Sequence, residues 1–257
     1  AGTLNKIAEE GIGYLYGGEL GAKLTQHLEA AGGFIAMDDL ETVEPFLEVP
    51  LKAAYRDLLV HVPPPPAESF QMLFALRILD SFDIRSLGML SAQHLDLVFR
   101  AIRIAAGLRI QHNRRSSEEI EALLSDMTSH VARAGDGIPL EGLTEKWSGD
   151  ADFVADAPKE NTTSMSIVDA DGNMICLTQS LGSAYGSGVM IPGTGVILNN
   201  FLNWTDLNPA SPNALQPGQR LAMCMAPSIS TRDGKGILAL GTPGSYGILQ
   251  TQVQAMV

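Results

Sequence analysis

Cysteine is scarce in this sequence. Cys176 and Cys224 are the only two in 257 residues, too few for a disulfide framework, and neither belongs to a CxxC pair. Cys176 sits among Met174, Ile175 and Leu177 and reads as a buried, inert thiol. Histidine is sparse and one-sided: His27, His61, His94, His112 and His130 all precede residue 160, scattered singly and without an HExxH motif. No zinc site is expected from them. Phosphate-cradling loops are missing as well. There is no GxxxxGK[ST] and no GxGxxG between a strand and a helix, while "GSG" at 186–188 and "GTG" at 193–195 read as loop glycines. No metal or organic cofactor is implied. Basic residues are few, 17 against 29 acidic ones, and the net charge of −12 leaves no electrostatic footprint for nucleic acid or anionic lipid. No apolar run reaches the roughly 18 residues that cross a bilayer. "AGTLNKIAEEGIGYL" lacks the basic and apolar regions of a signal peptide, which leaves a periplasmic or secreted and a cytoplasmic location both open.

What is present changes character along the chain. The first 135 or so residues read mainly as helices, in an α+β protein. "GAKLTQHLEAAGG" carries Leu24 and Leu28 at helical spacing and stops at Gly32-Gly33. A helix capped by Ser91 places Leu95, Val98, Ile102 and Ala105 or Ala106 on one face. A capping box from Ser116 to Glu119 starts another, with Ile120, Leu123, Leu124 and Met127 on its stripe. Between them "LEVPLKAAYRDLLVHVPPPP" predicts a pair of strands closed by Pro63 to Pro66. Residues 139 to about 161 read as an exposed, mobile loop. After it the period becomes that of strands: 162–169 and 174–181 joined by an Asp-Gly type turn, then "GVILNNFL" and "GILALGTPG".

The hairpin opens with an excess of hydroxyls, "KENTTSMSIVDADGNMICL". Threonine at a strand start and serine at a strand end also suit plain structure. If the chain is cut between Asn161 and Thr162, however, Thr162 gains a free α-amine beside its own hydroxyl. An amine with a pKa of about 7.7–8.0 can take the hydroxyl proton near neutral pH. One residue then supplies nucleophile and base, and no histidine is needed. "GTPGSYG", residues 241 to 247, could turn backbone amides toward a developing oxyanion.

"NTTSMSIVDADGNMICLTQSL", "GSGVMIPGTGVILNN", "PGQRLAMCMAPSI" and "LGTPGSYGILQTQ" follow in the order and spacing of the γ-glutamyltranspeptidase family of N-terminal-nucleophile hydrolases. "GELGAKLTQHLEAAGGFIAMDDLETVEP", "YRDLLVHVPPPP" and the helix from Ser91 resemble the later part of that family's large subunit. The resemblance implies a four-layer αββα sandwich and the middle of a proenzyme. Residues 1–161 would be the end of the large-subunit region and 162–257 the start of the small, strand-rich catalytic region, together one structural domain. It implies Thr162 as the nucleophile exposed by self-cleavage after Asn161, followed by Thr163. Ser180 stands where the family has a second threonine whose hydroxyl reaches the nucleophile's amine. Gly244 and Ser245 stand for the glycine pair that donates oxyanion-hole amides, and Asn199-Asn200 for the family's paired asparagines.

The departures from the family cluster where it holds the glutamyl head group. Gly182 replaces an asparagine, Phe201 and Trp204 replace a polar and acidic pair, and Met223-Cys224 replace a serine pair. A zwitterionic head needs charged or hydroxyl partners, because unpaired buried charge costs several kcal/mol. Thr163, Gly182, Asn200, Phe201, Trp204, Met223 and Cys224 are therefore the expected lining for a γ-glutamyl compound held differently or a less zwitterionic acyl amide. The expected partners are that small molecule and the two subunits of one precursor. The alternative is an uncut, silent family member that binds or scaffolds, in which Thr162 merely begins a strand.

Overall fold

The computed structural model describes residues 2–45, 47–113, 115–136, 160–209, 211 and 213–257. The expected mobile loop lies outside the described residues except for its last two positions. The chain is a mixture of helix and sheet that divides into two compact units, Glu48–Ser180 with Leu202–Val257, and Ala1–Leu47 with Leu181–Phe201.

The larger unit is built on a hairpin. β1 (Leu51–Tyr55) and β2 (Leu58–Val62) pair antiparallel, Leu51 opposite Val62 and Tyr55 opposite Leu58, as the sequence predicts. β5 (Ser228–Arg232) joins the other edge of β2, and β6 (Lys235–Leu240) completes a sheet ordered β1-β2-β5-β6. The β5–β6 turn is Asp233-Gly234, with φ of 50° and 75°, a conformation that Asp-Gly tolerates. Leu51, Ala53, Tyr55, Val60 and Val62 face one way and are buried, and the helices pack on that face.

Helix α4 (Phe70–Leu79) is buried on almost every side, with only Arg77 outside the core. The sequence gives it no amphipathic period because it has no solvent face to mark. α5 (Ala92–His112) starts where Ser91 accepts the His94 amide at 3.1 Å and buries Val98, Ile102 and Ala105. α6 (Ser117–Ser125) carries the reciprocal Ser116/Glu119 box and buries Ile120 and Leu124. α7 (Thr128–Asp136) follows it, and α8 (Gly247–Met256) buries Ile248, Leu249, Gln252 and Val253. β1, β2, α4, α5, α6 and Val253 of α8 share one apolar core.

β3 (Glu160–Val168) and β4 (Met174–Ser183) form a separate two-stranded ribbon. Asp169 organises its turn by accepting the amides of Asp171 at 2.9 Å and Asn173 at 2.8 Å. Strand β3 thus begins two residues before Thr162, and the bond between Asn161 and Thr162 lies inside it.

In the smaller unit, α1 (Gly2–Glu10), α2 (Glu19–Ala30) and α3 (Met37–Glu41) precede the segment 181–201. α2 ends as expected: Gly32 has φ 78° and the Gly33 amide reaches the Leu28 carbonyl at 2.7 Å. The strand expected at "GVILNNFL" is reduced to an isolated bridge between Met190 and Ile197 around Pro192-Gly195. Asn199 Oδ1 accepts the Phe201 amide at 3.0 Å, and a short 3₁₀ turn, Phe201–Trp204, follows. The backbone there pairs discontinuously, the Leu198 amide with Val189 O and the Asn200 amide with Leu181 O, both at 3.0 Å.

Candidate functional site

Thr162 and Ser180 meet across the β3–β4 ribbon. Thr162 Oγ1 donates to Ser180 Oγ at 3.4 Å, and Ser180 Oγ donates to the carbonyl oxygen of Asn161. Ser166 Oγ and Cys176 Sγ lie 3.6 Å apart further along, so rising numbers on β3 oppose falling numbers on β4, an antiparallel pair. Strand alternation puts Thr162, Ser164 and Ser166 on one face, opposite Cys176, Thr178 and Ser180. Ser164 Oγ and Thr178 Oγ1 are buried with no hydrogen-bond partner among the described residues. Thr163 occupies the opposite, exposed face and is not brought together with Thr162. Cys176, expected to be buried, is only half-buried.

The hydroxyl face packs on the end of β6. A Cβ at Gly241 would stand 2.2 Å from Ser164 Oγ and 3.0 Å from Cys176 Sγ, so the turn after β6 departs from beside the hydroxyl column. Gly241→Ala is expected to cost about 1–3 kcal/mol through this overlap, measured as a shift in urea midpoint at unchanged slope. A wild-type midpoint would contradict the packing.

Within that turn Gly244 has φ 118° and Ser245 φ 53°. A left-handed serine is uncommon and persists where its surroundings hold it. Among the described residues neither the Gly244 nor the Ser245 amide donates to a backbone or side-chain acceptor, while the Ser245 carbonyl accepts the Ile248 amide at 3.0 Å. Two adjacent amides are thereby left for an outside acceptor.

The next residue, Tyr246, anchors an apolar cluster. Cys224, Ala226, Ile248 and Leu249 are buried together, with Trp204, Met225 and Tyr246 packed against them. The Trp204 and Tyr246 ring centroids are 5.4 Å apart. Burial, then the Glu68 carboxylate, pushes the Tyr246 phenol up to about 12, so it stays protonated at neutral pH. Met223 is held by its backbone, its amide reaching Pro66 O at 3.1 Å and its carbonyl accepting the Glu68 amide at 2.8 Å. Expected lining residues Trp204 and Cys224 therefore belong to one hydrophobic cluster, and Cys224, 2% exposed, serves as its buried wall.

Gly182, Asn200 and Phe201 belong to the smaller unit. Asn200 Oδ1 accepts the Ser183 amide at 3.0 Å and its Nδ2 donates to Ser183 Oγ at 2.8 Å. Gly182 has φ 90°, and a Cβ there would meet Asn200 Oδ1 at 2.0 Å. The asparagine that the family pattern puts at this position has no room beside that clamp. Gly182→Asn is expected to lower the thermal midpoint by several degrees, from about 1–3 kcal/mol of backbone strain. An unchanged melting curve would refute the clamp.

Sequence reading overlooked Arg109 and left Tyr246 unassigned. Arg109 is 7% exposed on α5, pairs with Glu68 at 2.6 Å and Gln71 at 2.7 Å, and lies over the Tyr246 ring at 4.5 Å. The available signal was an arginine at the spacing of Ile102 and Ala105, on the buried stripe. A cleft of about 540 Å³ lined by Pro65, Pro66, Arg115, Ser116, Arg220 and Ala222, among others, contains none of the expected site residues. Among the described residues no three His, Cys, Asp or Glu side chains are grouped to hold a metal, and no helix is long and apolar enough to cross a membrane.

Comparison with known proteins adds to this geometry. A family model described as gamma-glutamyltranspeptidase matches residues 1–257. The chain is 33% identical over 261 residues to the "Acylase ACY 1 proenzyme" of Pseudomonas sp. strain SE83, covering 100% of this chain and 46% of that protein. It is 27% identical over 270 residues to the "Glutathione hydrolase proenzyme" of Escherichia coli K12, again covering 100% and 46%. Among solved structures it is similar to cephalosporin acylase from Bacillus halodurans, with a TM-score of 0.81, 26% identity and coverage of 100% and 46%. The chain thus spans about half the length of the relatives it matches.

Proposed function

Because this chain belongs to the gamma-glutamyltranspeptidase family over its whole length, we propose that its protein is a self-processing amide hydrolase or acyltransferase with Thr162 as nucleophile. The observation that carries this is the hydroxyl chain at the ribbon's head, Thr162 Oγ1 to Ser180 Oγ to the Asn161 carbonyl. In self-cleavage, Thr162 Oγ1 attacks the Asn161 carbonyl carbon, whose oxygen is polarised by the Ser180 hydroxyl. The Oγ1 proton ends on the Thr162 nitrogen, which leaves the carbonyl carbon as an amine. Water then hydrolyses the ester, freeing the Asn161 carboxylate and restoring the Thr162 hydroxyl. A large subunit ends at Asn161 and a small one begins at Thr162, both parts of one αββα sandwich whose inner layers are the two sheets.

In the mature enzyme the freed amine accepts the Oγ1 proton as Thr162 attacks the substrate amide. The Gly244 and Ser245 amides receive the oxyanion, and the proton passes to the leaving amine. Water, or an amino acceptor, then releases the acyl group. The aromatic and apolar character of Trp204 and Cys224 favours an acyl group without an α-ammonium. The same direction is suggested by relatives named acylases.

A panel of amides tests this in the full-length protein: γ-glutamyl-p-nitroanilide against N-acyl anilides lacking the α-amine. Faster Thr162-dependent release from the second group supports the reading. Preference for the γ-glutamyl compound refutes the apolar pocket, and an intact chain that hydrolyses neither favours the silent homologue.

A further inference from the structure

Three segments that carry site positions converge on one buried ion pair. Glu68 is 2% exposed and its amide fixes the Met223 carbonyl. Its carboxylate pairs with Arg109, whose Nε donates to Gln71 Oε1. The guanidinium then lies 4.5 Å from the centre of the Tyr246 ring, and the Trp204 ring also packs on Tyr246 at 5.4 Å. Tyr246 immediately follows the two left-handed residues whose amides lack an internal acceptor, and α8 begins right after it without a side-chain cap. A turn of this kind has other accessible conformations, since Gly244 is permissive and Ser245 is strained. The hydrogen bond from Ile248 fixes its C-terminal end, and α8 itself is held by Gln252, which donates to Ala226 O at 2.7 Å. The ring of Tyr246 is a further hold on this turn.

We propose that Arg109 is a positioning residue: locked by Glu68 and Gln71, it clamps the Tyr246 ring and thereby aims the Gly244 and Ser245 amides. This rests on the reading of those amides as oxyanion donors. Arg109 touches no reacting atom. A planar guanidinium suits the task, because it stacks on an aromatic face while its edge holds a carboxylate. Buried ion pairs add little net stability, so the pair is explained by fixing one geometry.

The test compares Arg109→Met combined with Glu68→Gln, which strands no charge, with Tyr246→Leu, Tyr246→Phe and Arg109→Lys in the full-length protein. Removing one oxyanion donor costs about 10²–10³-fold in kcat, and a misaimed pair should cost about 10- to 100-fold. The expected result is that loss in kcat for the Arg109/Glu68 variant and for Tyr246→Leu, with KM changed less than about threefold. Tyr246→Phe keeps the ring but loses the hydroxyl that Arg109 also hydrogen-bonds, so its loss, like that of Arg109→Lys, should fall between wild type and Tyr246→Leu. Hydrogen exchange gives a readout that needs no turnover. Protection of the Ile248 amide should drop in the Arg109/Glu68 variant while that of β1 and β2 stays unchanged. Unchanged Ile248 exchange overturns the proposal whatever the activity, and so does exchange that rises equally in β1 and β2. If exchange responds as expected but the wild type lacks Thr162-dependent turnover, the oxyanion reading fails and the clamp stands.

Discussion

Thr162→Ala leaves the full-length chain in one piece, and its amide turnover falls to background. The expected loss is about 10⁴-fold or more, since removing the nucleophile of a covalent mechanism leaves only what binding and oxyanion donors contribute. Thr162→Ser keeps a primary hydroxyl and, once cut, the same adjacent amine, so it should retain part of both activities. Intact mass over time reads the first half, and the smaller fragment must begin at residue 162. Release of p-nitroaniline from an acyl anilide reads the second. Alanine is small enough for the half-buried strand position of Thr162, so folding is not the reason for the loss. Equal turnover in wild type and the alanine variant would refute the mechanism.

Ser180→Ala should uncouple the two stages. Before cleavage the Ser180 hydroxyl donates to the Asn161 carbonyl, the oxygen that becomes negative when Thr162 attacks. Loss of one such donor slows a reaction by about 10²–10³-fold, so cleavage should lengthen by that order while the fold is kept. Ser180→Thr restores the donor with the residue type that the family pattern has there, and should cut at nearly the wild-type rate. On the proposed mechanism, cleavage turns the Asn161 carbonyl into a free chain end and leaves Ser180 beside the new amine. Any Ser180→Ala protein that does cut should therefore show a milder defect in amide turnover than in cleavage. A time course of chain mass for the three proteins decides this. A Ser180→Ala rate equal to wild type would demote the hydroxyl to an ordinary strand residue.

The sequence by itself determined the parts whose cause is local. Ser91 and the Ser116/Glu119 box mark helix starts because their side chains answer amides within three residues. Asp233-Gly234 and the ribbon turn follow from residues that accept positive φ or bond their own backbone. Thr162 and Ser180 were singled out from an ordered series of motifs, and the ribbon brings their hydroxyls within 3.4 Å. α4 was not read as a helix, since a helix apolar on every side has no period. The strand expected from "GVILNNFL" is broken into separate backbone bonds, Leu198 to Val189 and Asn200 to Leu181, in place of a continuous ladder.

Only the tertiary structure decided which side chains meet. Strand alternation separates Thr163 from Thr162, which adjacency in sequence does not reveal. Asn200 and Gly182 prove to be halves of one steric arrangement, 18 residues apart, that excludes a side chain at 182. Cys224 is a wall of an aromatic cluster, and Arg109, 41 residues from Glu68, reaches the turn beyond β6. Long-range packing brings these together. A sequence records such a meeting only faintly, here as one arginine on the buried face of a helix.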